Sequence, residues 1–298
     1  MLHLRAPAKV NLVLRVLGTR PDGYHELETL FERIDLADEL AFEQIPTGPA
    51  LSLTCDNPAL NCGEDNLVLK AARLLQQTFH MTQGASIHLK KRIPIAAGLG
   101  GGSSDAATTL AGLNRLWNAG ASQDQLSELA AQLGSDVAFF MQPSAFAIGR
   151  GRGEICEPLS APYPTLYQVL VTPNVKLSTP EVYAGFDAQK SALTGAEGSI
   201  TISTHALRNG SLGELAKGLW NDLEPEAIRR CPIINDIRNL LRQGGCLKAV
   251  TSGSGPSVVG LCHDAAAARA AADRIRLHGQ PDWFVAVTKT DQPSSPKI

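Results

Sequence analysis

The sequence is short of most features that would declare a function outright. Its six cysteines include no C-x-x-C pair and none lies near a histidine at finger spacing, which excludes a zinc ribbon or a redox motif and suits a reducing compartment. The seven histidines form no H-E-x-x-H and no serine sits in G-x-S-x-G, so zincin and α/β-hydrolase chemistry lack their anchors. No run of about eighteen apolar residues occurs, and the first residues have no apolar signal core. The expectation is a cytoplasmic protein that does not enter a membrane. Excess charge of one sign is missing too: 27 Lys and Arg face 29 Asp and Glu, which leaves no polycationic face for nucleic acid.

What is present is enough chain for about two domains, with 298 residues of which 44% are hydrophobic. Val10, Leu12, Leu14 and Val16 alternate with Lys9, Asn11 and Arg15, the period of a half-buried strand, so Lys9 and Asn11 share a face. A turn follows at Arg20-Pro21-Asp22-Gly23, and Leu51, Leu53 and Cys55 alternate as a further strand. Behind Asp65 or Asn66 as N-cap, apolar residues at helical spacing predict a helix over 66–79, followed by a strand over 85–93 that Pro94 ends. Ala106, Leu110, Leu113 and Trp117 predict a second helix, and Ser122-Gln123-Asp124-Gln125 has capping-box spacing for a third, stopped by Gly134.

The stretch Ile148-Gly149-Arg150-Gly151-Arg152-Gly153 reads as a break, with prolines at 158, 162 and 164 behind it, so the domain boundary is expected near 150–160. Beyond it, strands are expected at 166–171, as a pair within 247–262 and at 283–287, with helices at 212–220, 232–243 and 264–277. Residues 187–204 are polar and read as a mobile loop. The pattern predicts an α+β protein, with helices packed on one face of an antiparallel sheet in each half.

The strongest local signal is Pro94-Ile95-Ala96-Ala97-Gly98-Leu99-Gly100-Gly101-Gly102-Ser103-Ser104-Asp105. Four glycines in five residues, between a strand and a helix, let backbone N–H groups approach an anion, and the helix N-terminus adds about half a unit of positive charge. It lacks the lysine of a Walker loop, and Ser103 stands where G-x-G-x-x-G needs its third glycine. A phosphate cradle outweighs a mere connector here, and a side chain added at Gly101 is expected to block the anion. Other candidates stay open from their own surroundings. Asp136 in Gly134-Ser135-Asp136-Val137 has the position of a helix cap. Lys9 alone reads as a solvated strand residue, Gly23-Tyr24-His25-Glu26 as a surface turn, and the glycine-arginine repeat as a turn rather than an RNA-binding tail.

Taken in order, Pro7-Ala8-Lys9-Val10-Asn11-Leu12, Gly23-Tyr24-His25-Glu26-Leu27, the 94–105 loop and Gly134-Ser135-Asp136-Val137 resemble the superfamily of galactokinase, homoserine kinase, mevalonate kinase and phosphomevalonate kinase, the GHMP kinases. The glycine-serine loop marks only the superfamily. The first two elements point to the branch that phosphorylates a cytidyl-bearing substrate in non-mevalonate isoprenoid synthesis. The resemblance implies two α+β domains with antiparallel sheets, an ATP-binding domain over 1–155 and a substrate-binding domain over 156–298 whose last strand returns to the first, with the active site in the cleft. It implies Lys9 and Asp136 as the catalytic pair. Asn66, Lys91 and the loop residues Pro94, Ile95, Ala96, Ala97, Gly98, Leu99, Gly100, Gly101, Gly102, Ser103 and Ser104 would hold ATP, with Mg²⁺ as its companion. Asn11, Tyr24, His25, Asp136, Thr179 and Tyr183 would hold the small-molecule substrate. Tyr183 stands where the family has Phe and keeps the stacking face, while Ala96 and Ala97 stand where glycines are common. Neither nucleic acid nor membrane is an implied partner, and the form expected is a monomer or weak homodimer. The alternatives are another small-molecule kinase of the superfamily and a nucleotide-binding regulator without catalysis.

Overall fold

The computed structural model describes residues 1–160, 162–188 and 199–292. Two strands of unusual length, β1 (Leu2–Thr19) and β2 (His25–Ile45), pair antiparallel along their whole course and form the spine of a seven-stranded sheet. Their hairpin is closed where the Arg20 N–H donates to the Tyr24 carbonyl, 2.7 Å. Three register shifts bend the pair, at Pro7/Ala8, Asn11/Val13 and Val16/Gly18. On one side of the spine lie β4 (Gly84–Lys90) and β3 (Leu51–Cys55). Lower on β2 come β5 (Phe146–Gly151) and then β6 (Ile155–Pro158).

Helices α1 (Leu67–Thr78), α2 (Gly101–Trp117), α3 (Gln123–Leu133) and the short α4 (Ser135–Phe140) follow the expected capping chemistry. The Asn66 carboxamide accepts from Val68 N–H, and Ser122 with Gln125 forms the full capping box. They cover the upper sheet, where Leu40, Phe42, Ile87 and Leu89 meet Leu75, Leu110 and Leu113.

The rest of the chain builds β7 (Tyr167–Thr172), α5 (Thr179–Ala188), α6 (Ile200–Arg208), α7 (Leu212–Gly218), β8 (Trp220–Asn221), α8 (Glu224–Arg230), α9 (Ile233–Gln243), β9 (Lys248–Thr251), β10 (Val258–Cys262), α10 (Ala265–His278) and β11 (Phe284–Lys289). Strands β11-β7-β10-β9 form a fully antiparallel sheet. Its two faces separate cleanly with period two. Leu170, Val250, Val259 and Leu261 pack toward the lower spine with Val10, Leu12 and Leu30, while Val169, Val171, Ala249 and Val258 pack on α9 and α10 through Ile234, Ile237, Leu241 and Ala272.

Several expectations change. The first sheet is not wholly antiparallel, because β3 runs parallel to β4 and β8 parallel to β1. Strand β2 was invisible to an alternation test because Glu32, Arg33 and Asp38 occupy buried positions in it and break the apolar pattern. The glycine-arginine stretch is no break: β5 continues through Arg150 to Gly151, and the chain turns only at residues 152–154. Of the polar stretch read as a loop, 200–208 is helix α6 capped by Ser199, and 189–198 lie outside the described residues. The last strand pairs with β7 in the second sheet, and its end also reaches β2 of the first, where Lys289 N–H donates to Asp35, Thr290 bridges to Ile34 and Asp291 N–H donates to the Arg33 carbonyl.

Candidate active site

Between β4 and α2 the chain must turn sharply, and it does so by taking positive φ at every second residue: Ala96 (54°), Gly98 (76°) and Gly100 (66°). Backbone in this alternation turns successive N–H groups toward one side, a nest for an anion. The loop is held from both sides. Lys9 N–H donates to the Leu99 carbonyl (3.0 Å), and Ser252 Oγ donates to the Gly98 carbonyl (2.9 Å). A Cβ on Gly98 would lie 2.2 Å from the Ser252 carbonyl oxygen, and one on Gly100 would lie 2.9 Å from Lys9 Cγ, so neither position admits a side chain.

The loop walls a cavity of about 490 Å³, lined by Asn66, Lys91 and every residue from Pro94 to Ser103, with Leu60, Leu67 and Asp105 opposite. Ser104 is the one expected contact not in this wall. It is fully buried in the first turn of α2 and its hydroxyl has no hydrogen-bond partner. The side chain of Asn66 is already engaged, its amide donating to the Asn61 carbonyl and its oxygen capping α1. Lys91 is the only cation of the wall among the described residues, and its ammonium is spent on buried Asp38 and on Asp105 (2.9 Å). Burial alone would lower the Lys91 pKa, but the two carboxylates outweigh it and raise it; burial in turn raises the Asp105 carboxyl even beside Lys91. Lys91 thus props the loop from beneath. A Cβ on Gly101 would be crowded by its Nζ, 3.0 Å away, and by Ile93, whereas one on Gly102 meets only Leu67 at 3.9 Å. Gly102 is therefore the loop position at which a side chain can be added with the least crowding.

A second cavity, of about 500 Å³, is built differently. Tyr24, His25 and Arg152 line it from the first sheet, Ser135 from α4, and Thr179, Tyr183 and Asp187 from α5. Tyr183 stacks on His25 with ring centroids 4.6 Å apart, and the Arg152 guanidinium lies 4.8 Å over the exposed Tyr24 ring. His25 Nε2 meets both Asp187 oxygens at 2.9 and 3.0 Å, and Thr179 Oγ1 meets Ser254 Oγ at 2.7 Å. Burial pushes the Tyr183 phenol up, with the Asp136 charge adding to the effect, so it stays a neutral stacking surface. Arg152 and Asp187 were missed. Arg152 was set aside with its repeat as a turn, whereas Asp187 had a legible signal, since Thr179, Tyr183 and Asp187 recur at i, i+4 and i+8 on one helical face. The loop between β9 and β10 lines neither cavity, yet it hydrogen-bonds one wall residue of each, Gly98 through Ser252 and Thr179 through Ser254.

Between the cavities stand Lys9 and Asp136. Lys9 packs on Gly100 of the first wall, and Asp136 follows Ser135 of the second. Their Nζ and Oδ2 are 3.4 Å apart, with the lysine side chain 4% exposed and the aspartate 34%. Asp136 is not the cap of α4; Gly134 holds that position, and the carboxylate lies in the first turn, free of any capping bond. Asn11 lines neither cavity, because both ends of its buried amide are engaged inside the protein, with Lys9 and with Thr29.

Residues 66–143 match the family described as GHMP kinases N terminal domain, and residues 203–280 match GHMP kinases C terminal. A protein of Pelotomaculum thermopropionicum named 4-diphosphocytidyl-2-C-methyl-D-erythritol kinase is 44% identical over 97% of both chains. One of Geobacillus thermodenitrificans with the same name is 40% identical over 88% of this chain and 89% of its own. A crystal structure of 4-(cytidine 5'-diphospho)-2C-methyl-D-erythritol kinase, 36% identical, superposes with a TM-score of 0.81 over 97% of this chain and all of its own. An L. major mevalonate kinase shares the fold at 18% identity, with a TM-score of 0.79 over 99% of this chain and 97% of its own. The chain belongs to the GHMP kinases, a family of ATP-dependent small-molecule kinases, in the branch of the 4-diphosphocytidyl-2-C-methyl-D-erythritol kinases.

Proposed function

We propose that this chain transfers the γ-phosphoryl group of ATP to the 2-hydroxyl of 4-diphosphocytidyl-2-C-methyl-D-erythritol, a step in non-mevalonate isoprenoid precursor synthesis. The observation that carries the proposal is the Lys9–Asp136 pair standing between one cavity walled by the glycine-rich loop and another lined by aromatic rings. Phosphoryl transfer asks little covalent chemistry of a protein and much positioning and charge stabilisation. Asp136, the more exposed of the pair, takes or orients the proton of the attacking hydroxyl, and Lys9 offsets charge beside it. The 98–103 backbone cradles the triphosphate, with Pro94 to Ala97, Asn66 and Leu67 around the rest of the nucleotide. Tyr24, His25, Thr179 and Tyr183 receive the cytidyl group, and Arg152 supplies a cation for its diphosphate.

Among the described residues the nucleotide cavity offers no free cation to the phosphates, since the Lys91 ammonium is neutralised by Asp38 and Asp105. Charge must therefore arrive with the nucleotide, which fits Mg²⁺. Among the described residues no cluster of three His, Cys, Asp or Glu forms a cage for it, and Mg²⁺ is commonly held by substrate phosphates with few protein ligands. The unpartnered Ser104 hydroxyl is the protein group suited to that ion. When bound it would neutralise the charge that develops on the transferring phosphoryl group.

Residues 1–155 act in this reading as the ATP-binding domain and 156–298 as the substrate-binding domain. We take the working form to be a cytoplasmic monomer or weak homodimer that acts without nucleic acid or membrane; no helix among the described residues is long and apolar enough to cross one. The test is phosphoryl transfer from ATP to the cytidyl substrate, with its uridyl analogue, mevalonate and homoserine as controls. Turnover confined to the cytidyl compound is expected. Preference for mevalonate or homoserine would move the chain to another branch of the family.

A further inference from the structure

Lys9 is almost wholly buried, and something must aim its ammonium. Lys9 and Asn11 project from the same face of β1, and Lys9 Nζ donates to Asn11 Oδ1 at 2.7 Å. On β2, Phe31 stands opposite Asn11 in the register, so Thr29, two residues further along, shares that face. Asn11 Nδ2 donates to Thr29 Oγ1 at 2.8 Å, and Thr29 Oγ1 donates to the Val13 carbonyl at 2.7 Å. Thr29 and Asn11 are only 1% and 2% exposed, so water does not compete for any of these bonds.

A hydroxyl has one proton. Because that proton goes to the Val13 carbonyl, the Thr29 oxygen can only accept from Asn11, and the carboxamide must turn its NH₂ to Thr29 and its oxygen to Lys9. The opposite amide orientation would set NH₂ against the ammonium, donor to donor, inside a buried site where an unpaired polar group costs about 1 to 3 kcal/mol. The polarity of the chain Val13, Thr29, Asn11, Lys9 is thus fixed from both ends, by the Thr29 hydroxyl and by the ammonium, and Thr29 holds the end that anchors the amide to the sheet. Asn11 is tied down a second time, its backbone N–H donating to Ser252 Oγ at 3.3 Å, so its side chain has little freedom to compensate.

We propose that Thr29 is a positioning residue for phosphoryl transfer: it fixes the orientation of the Asn11 amide, and through it the direction of the Lys9 ammonium toward Asp136. This rests on the reading of Lys9 and Asp136 as the catalytic pair. Thr29 touches neither cavity, so its effect belongs in turnover rather than in binding.

The test replaces the hydroxyl at constant shape, Thr29→Val, and restores it at smaller size, Thr29→Ser, with Lys9→Ala alongside. Turnover of ATP and the cytidyl substrate is measured for each, with KM for both. The expected result is a roughly 10- to 100-fold loss of kcat in Thr29→Val, in line with the cost of misplacing a catalytic group by about an ångström, with both KM values within twofold of wild type. Thr29→Ser should recover most of that loss, which a packing role would not allow. Should Thr29→Val fail to fold, Thr29→Ala is compared with Thr29→Ser in the same way. Wild-type kcat in the hydroxyl-free variant, or equal loss in the valine and serine variants, overturns the proposal while leaving the pair in place. Retained turnover in Lys9→Ala overturns the reading beneath it.

Discussion

The two cavities are of nearly equal volume and of opposite construction. The first is a backbone object: one continuous segment, 94–103, supplies most of its wall, and Lys9 and Ser252, which are not part of that wall, grip the loop from outside it. The second is a side-chain object assembled from the hairpin end of β1 and β2, the β5–β6 turn, the first turn of α4 and one face of α5. A triphosphate presents the same anion whatever carries it and can be held by peptide N–H groups, whereas a particular base needs chosen rings and edges. The difference between the cavities is the difference between a co-substrate common to a family and a substrate peculiar to one branch.

The sharpest way to break the comparison is at the boundary between them. Lys9→Ala and Asp136→Asn should each lower kcat by roughly 100-fold or more, and the double variant should be little worse than the worse single, because the two act as one unit. Steady-state kinetics decides it, and near wild-type turnover in either single variant removes the pair from the mechanism. Next comes Tyr183→Ala. Losing one base–aromatic stack, about 1 to 3 kcal/mol, should raise KM for the cytidyl substrate by roughly 5- to 150-fold while calorimetric ATP affinity stays within twofold. A matching loss of ATP affinity would mean that the cavities are not separate in function.

The same contrast explains what was legible in the sequence. A phosphate loop is local, so glycine spacing and the adjoining helix pattern disclosed it without knowledge of the fold. The aromatic cavity is not local: Tyr24 and His25 in isolation read as a turn, and nothing in the chain near Arg152 says that a tyrosine ring will lie beneath its guanidinium. Resemblance to a family placed most of these residues. Asp187 remained hidden although helical spacing from Thr179 would have reached it. The long β2 was lost for a related reason, since a strand that buries Glu32, Arg33 and Asp38 does not look like one until the partners of those charges are known.

Glu32 tests the frame that the two cavities share. It is fully buried where the sheets meet, held by Thr290 Oγ1 (2.7 Å) and by Gln168. Burial raises its carboxyl from 4.5 to about 8. Between those values the folded chain holds a proton that the unfolded chain has released, so stability from this group is present below pH 4.5 and lost as pH rises toward about 8. The slope is at most about 1.4 kcal/mol per pH unit. Urea unfolding of wild type and Glu32→Gln from pH 5 to 8.5 should show this decline in wild type and its absence in the variant; parallel curves would contradict it.

The smallest expected effect sharpens the description of the loop itself. Ala96 holds φ at 54°, a left-handed conformation that costs a residue with a Cβ about 1 to 2 kcal/mol. Ala96→Gly should relieve that strain and return part of the gain as chain entropy. A net rise in stability of about 1 kcal/mol or less is expected in thermal unfolding, with ATP affinity unchanged; a loss of stability would show that the alanine methyl contributes packing that outweighs the strain.

The most direct measurement of the central claim, that backbone holds the nucleotide and side chains hold the acceptor, is calorimetry on Gly102→Leu. Its side chain would leave the helix toward open space beside Leu67, inside the backbone-walled cavity, with no backbone strain to disturb the fold. ATP affinity should fall by roughly tenfold or more, while affinity for the cytidyl substrate should stay within twofold of wild type. Unchanged ATP affinity in a folded Gly102→Leu protein, or an equal loss for both ligands, would contradict it.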